Sequence, residues 1–188
     1  YGISMTEWVV LISIILDWKR SLSQEKKEEN CMSYKFLMAT DFWVFVNLIV
    51  ALLISIPYIN LFTHGTHITV AHSMGTTIGI NTTILLASVF FITNRENPTY
   101  LAKYAKLLKA GYWIFNVSLG IFWVCLLLGG VEKSIWMYFI DNPSSFGKMQ
   151  NTLQPYMYAF LAAGYGILIG ILMVSLPLLS ILIKKKNT

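Results

Sequence analysis

Apolar residues run along this chain in long blocks, and most of the charged residues fall in the connections between them. A bilayer core of about 30 Å takes ~20 helical residues to cross. On that measure the pattern predicts an all-α transmembrane helix bundle, one membrane domain over residues 1–188, with five spans at residues 3–16, 41–61, 66–93, 107–128 and 153–183. The first block is short for a span, and the chain opens on Tyr1 rather than Met, so an upstream truncation is expected. No basic n-region or small-residue cleavage site marks a signal peptide. The last block is long, and Gly164, Gly166, Gly170 and Pro177 predict tilt or a kink within it. Residues 19–35 read as a solvated charged loop, and 129–152 as a turn-rich loop with Trp136 and Tyr138 as interfacial anchors. Gly75/Gly79 and Gly166/Gly170 have the G-x-x-x-G spacing that lets helices approach closely. In the third span the same glycines could let a flat macrocycle lie against the backbone. No internal repeat is visible, which argues against the common transporter plans.

Composition agrees with a membrane protein. The chain is 56% hydrophobic and 12% charged, against roughly 25% charged in soluble domains. Its net charge of +5 reflects where the cations sit. Lys19, Arg20, Lys26, Lys27 and Lys35 fall in one connection, Lys103, Lys106, Lys109 and Arg95 in another, and Lys184, Lys185 and Lys186 in the tail. Together they make twelve of the fourteen basic residues, leaving Lys133 and Lys148 for the alternate connections. By the positive-inside rule the basic connections and the C-terminus are cytoplasmic. The charge is topological, so no nucleic-acid partner is implied. Cys31 and Cys125 fall at different levels of the bundle, which predicts free thiols.

All three histidines, His64, His67 and His72, lie within nine residues at the outer mouth of the third span. Ionisable groups at that depth need partners, and metals, haem iron among them, suit imidazoles. His72 and Met74 are two apart, so on an α-helix they leave in directions about 200° apart. They could serve two haems flanking one helix, or His72 could bond a neighbouring helix while Met74 fills the core. His64, Thr66 and His67 surround the helix start, where free N–H groups favour anions such as haem propionates. A zinc site from the three histidines is disfavoured by their spacing around the helix. Glu7, in the first block, is either an intramembrane carboxylate placed for proton delivery or an interfacial one. Asp41 reads as interfacial.

The run Tyr58-Ile59-Asn60-Leu61-Phe62-Thr63-His64-Gly65-Thr66-His67, followed by Ala71-His72, resembles the haem-ligand helix of the haem–copper oxidase superfamily. It is most similar to the large subunit of bacterial nitric oxide reductase, with its Asn-x-x-Thr-His-Gly-Thr stretch and Ala-His-x-His motif. Ser4-x-x-Glu7 falls near where that subunit carries a glutamate beside its active-site iron. The resemblance is specific over residues 57–75, weaker over 1–56, and rests on hydropathy beyond about 93.

The resemblance implies the last five of twelve spans. His72 becomes the proximal ligand of a high-spin haem, and Glu7 a carboxylate for proton supply. His64 would lie by the propionates or help hold a structural cation there. Met74 stands where the family has the low-spin haem's histidine; methionine can ligate and raises the potential, so the low-spin haem is either His/Met-ligated here or displaced or absent. His67 also departs from the family. A non-haem iron would take its ligands from upstream spans. The implied activity is reduction of nitric oxide to nitrous oxide, in a bacterial inner membrane, with a cytochrome, quinol or copper protein as electron donor. Oxygen reduction is the alternative, and a haem-free transporter or channel subunit the third.

Overall fold

The computed structural model describes residues 2–140 and 145–186, and the side chains of 9–99, 101–140 and 145–181. Every element among them is helical. Helix α1 covers Gly2–Ser21, α2 Gln24–Glu29, α3 Cys31–Ser55 and α4 Pro57–Thr63. The third expected span is continuous over His67–Glu96, built from α5 (His67–Met74), a π-helical segment (Gly75–Thr82) and α6 (Thr83–Glu96). Helices α7 (Pro98–Lys103), α8 (Ala105–Tyr138) and α9 (Phe146–Lys186) complete the order.

Among the described residues four helices are long and apolar enough to cross a membrane: Cys31–Ser55, His67–Glu96, Ala105–Tyr138 and Phe146–Ile181. They correspond to four of the five expected spans. The first expected span forms α1, and part of it lies outside the described side chains.

Several boundaries differ from the sequence expectation, each for a local reason. Pro57 lacks an N–H and pushes Ile56 to extended backbone (φ −71, ψ 121), so the second span ends at Ser55 and α4 starts anew. The 19–35 stretch is no loop. Ser23 caps α2 by accepting from the Lys26 N–H at 3.4 Å, and the Gln, Glu and Lys residues that follow are good helix formers. The 129–152 loop shrinks because α8 continues through Gly129-Gly130 and α9 starts at Phe146. A Cβ on Gly130 would stand 2.5 Å from the Ile68 amide nitrogen. The close seat of α8 on α5 therefore outweighs glycine's poor helix propensity, about 1 kcal/mol.

Helices α8 and α9 pack antiparallel over much of their length. Gly170 lies so close to the Phe115 backbone that a Cβ would stand 2.6 Å from its nitrogen, and Gly111 faces Met173 and Val174. Helix α3 lies along the third span, and α5 rests on α8. The core runs between them. Phe36 and Phe90 stack at 5.5 Å, with Tyr112 edge-on to Phe36 at 5.1 Å. The outward faces are apolar, as at Leu85, Val117 and Leu168, which suits lipid contact.

Candidate cofactor site

The third span begins at a tied loop. Gly65 takes φ +71, a left-handed conformation that glycine adopts without strain. Thr66 is buried, accepts from the Ile68 N–H at 3.3 Å and donates to the Thr63 carbonyl at 2.7 Å. Helix α8 holds this loop from the side. Lys133 Nζ donates to the Gly65 carbonyl at 2.8 Å, and Ser134 Oγ to the Phe62 carbonyl at 2.6 Å. His64 is exposed, whereas His67 is half-buried with its Nδ1 enclosed and unpartnered among the described residues. The helix start, the Lys133 ammonium and the His67 ring together make this end receptive to an anion.

One turn further on, His72 is half-buried and turned toward α3. Its Nδ1 lies 3.2 Å from Asn47 Oδ1. Asn47 Nδ2 donates to Thr76 Oγ1, and Thr76 Oγ1 donates to the His72 carbonyl at 3.2 Å. An amide oxygen only accepts, so Nδ1 carries the proton and Nε2 keeps its lone pair. A ligating histidine is oriented in just this manner, by donating its other ring N–H to an oxygen. The geometry therefore fits His72 as an axial ligand through Nε2.

Met74 is partly buried and packs against the central cluster that includes Trp43, Ala71 and Phe122. That is an ordinary place for a core methionine. The glycines of this span are covered by protein. A Cβ on Gly75 would meet Asn47 Oδ1 at 2.6 Å and Trp123 Nε1 at 3.2 Å, and one on Gly79 would meet the Trp43 ring at 2.7 Å. They serve helix packing, and a flat macrocycle has no free face there. No group of three or more His, Cys, Asp or Glu converges among the described residues, so the three histidines do not form one metal site.

The π-helical segment starts immediately after Met74. Such segments recur at functional sites. Threonines satisfy carbonyls along it: Thr77 donates to Ser73 at 2.6 Å, Thr82 to Thr77 at 3.1 Å, and Thr83 to Gly79. Asp41, expected at the interface, is buried and pairs with Lys19 at 3.1 Å. Glu7 lies outside the described side chains, and its backbone is part of α1. Cys31 is exposed and Cys125 buried, both free. A crevice at the other end of the bundle is lined by none of the three histidines.

Asn47, Thr76 and Trp123 were missed from sequence. The available signal was Asn47 itself, a lone amide in the apolar run between Asp41 and Ser55. Polar residues within membrane helices bond across to neighbours.

The family of cytochrome c and quinol oxidase polypeptide I matches residues 2–166. The chain belongs to that family. It is thus a multi-pass membrane subunit of an oxidoreductase of the haem–copper oxidase type, and the family implies haem cofactors. No curated protein matches the chain.

Proposed function

We propose that this subunit contributes the proximal side of a catalytic haem in a respiratory nitric oxide reductase. The observation that carries this reading is the His72 ring, whose Nδ1–H is committed to Asn47 and whose Nε2 is free to ligate. The motif around it, Asn60 through Thr66 with Ala71-His72, is what favours nitric oxide. When bound, a high-spin haem paired with a non-haem iron supplies the redox centre at which two NO, two electrons and two protons become N₂O and water. His72 holds the haem iron. His67 and Lys133 would face propionates at the helix start, with His64 exposed beside them, while Thr66, its hydroxyl and N–H both given to the Thr63 carbonyl, shapes the loop. Glu7 passes protons toward the centre. Met74 stands where the family's low-spin haem has a histidine, and its sulfur would ligate such a haem only where the core packing around it opens. The non-haem iron takes its ligands from other spans. Electrons arrive from a cytochrome, quinol or copper protein, and the basic connections face the cytoplasm of a bacterial inner membrane.

The description of the matched family, which names cytochrome c and quinol oxidases, favours a second reading in which dioxygen is the acceptor. The test is a reduced-minus-oxidised spectrum of the purified protein with its accompanying spans, followed by NO and O₂ electrode assays. The expected result is a haem spectrum, NO consumption exceeding O₂ consumption, and loss of the high-spin signal in His72→Ala. Faster O₂ consumption selects the oxidase reading. A high-spin signal unchanged in His72→Ala overturns the ligand assignment.

A further inference from the structure

An open crevice of about 1390 Å³ lies at the end of the bundle that carries the basic connections. It lies between the end of α1, the α2–α3 junction, the end of α6 and the start of α8. The apolar surface it offers is that of the exposed Ile84, Phe91 and Ile92, over a closed floor that includes Phe90 and Leu108. Its rim carries Lys26, Lys27, Lys35, Arg95 and Lys109 against one carboxylate, Glu29. None of these five cations forms an ion pair among the described residues, whereas Lys19 nearby is paired with Asp41. Phe91 and Ile84, both exposed, open the crevice toward the lipid-facing side.

The crevice is built by specific bonds between its walls. Asn94 Nδ2 donates to the Glu29 carbonyl at 2.9 Å, joining the end of α6 to the α2–α3 junction. Ser33 Oγ donates to the Ala87 carbonyl at 2.8 Å, and Tyr112 OH to the Lys35 carbonyl at 3.2 Å. The Lys27 ammonium lies 5.7 Å from the Tyr34 ring centroid, held over the aromatic face.

From this arrangement we propose that the crevice seats an anionic phospholipid, with its phosphate among the rim cations and its acyl chains along Ile84, Phe91 and Ile92. Basic pockets between membrane helices on the positively charged side select acidic head groups. A free phosphate would use the rim and leave the apolar wall open. A zwitterionic lipid would bring a cationic head group with its phosphate, adding a sixth positive charge to five cations that face one carboxylate. The anionic lipid satisfies both. This assignment is independent of which gas the enzyme reduces.

The experiment uses the full protein with its accompanying spans, delipidated in mild detergent. Phosphatidylglycerol or phosphatidylcholine with brominated acyl chains is titrated in, and quenching of Trp18 on the crevice wall is read as the difference from Trp18→Phe. Phosphatidylglycerol is expected to quench at lower concentration than phosphatidylcholine. The Lys35→Gln/Arg95→Gln variant should weaken it roughly thirtyfold, and Lys35→Arg/Arg95→Lys should stay within roughly threefold. Haem content and helical circular dichroism identify variants that fold. Equal quenching by both lipids overturns the proposal, as does affinity unchanged in the folded Gln variant. No Trp18 quenching at all also overturns it, and means that a protein segment covers the crevice. Competition by millimolar inorganic phosphate as strong as by lipid overturns it in favour of free phosphate.

Discussion

The imidazole of His72 and the amide of Asn47 meet across 3.2 Å between the third span and α3, twenty-five residues apart in the chain. One side chain thereby sets which nitrogen of the other is free. Outer partners of this kind typically change metal affinity or activity by 10–100-fold when removed. Asn47→Ala should therefore lower haem retention by about tenfold or more, read by haem content after gel filtration. Asn47→Asp should keep the haem and shift the iron–histidine stretching frequency. Full haem content with an unshifted frequency in both variants would show that Asn47 does not orient the ring.

Met74 separates two roles by two substitutions. As core filling against the Trp43 and Phe122 cluster, Met74→Leu should cost less than about 1.5 kcal/mol and leave every spectrum intact. As an axial ligand, it should lose the low-spin haem signal in Met74→Leu, and Met74→His should lower that haem's potential. A redox titration of the purified variants decides, and the packing of Met74 against the central cluster favours the first outcome.

The α8–α9 interface depends on Gly170, because a Cβ there would stand 2.6 Å from the Phe115 nitrogen and 2.7 Å from its Cα. Backbone has no rotamer to yield. Gly170→Ala should destabilise by about 1–3 kcal/mol, seen as a lower thermal unfolding midpoint in detergent. Gly120→Ala, on the same pair of helices, has nothing within 4 Å of its Cβ and should be neutral or slightly stabilising.

The Asp41–Lys19 pair ties α1 to α3, with Lys19 32% and Asp41 13% exposed. Removing Lys19 leaves a buried carboxylate without its cation. Lys19→Met should cost about 1–3 kcal/mol after allowance for the partial exposure of the lysine, and Lys19→Arg far less. The double variant Lys19→Met/Asp41→Leu should recover much of the loss. A double variant no more stable than Lys19→Met would show that the pair carries no coupling.

The helical class, four of the spans and the histidine-rich start of the third were legible because they rest on local signals. A block of apolar residues long enough to cross a bilayer must be helical there, since no other open structure satisfies its backbone in lipid. The Thr-His-Gly-Thr run likewise marks a capped helix start without knowledge of any neighbour. What tertiary structure decided involves residues far apart in sequence. Gly129-Gly130 reads as a turn until α5 packs on it, and Gly75 and Gly79 read equally as cofactor or helix contacts until Asn47 and Trp43 cover them. Asp41 has no visible partner in the sequence until Lys19 reaches it. The tautomer of His72 was likewise invisible, because it depends on a hydrogen bond from another helix. Local patterning sets which segments cross the membrane; contacts between those segments set which nitrogen, which glycine face and which carboxylate can act.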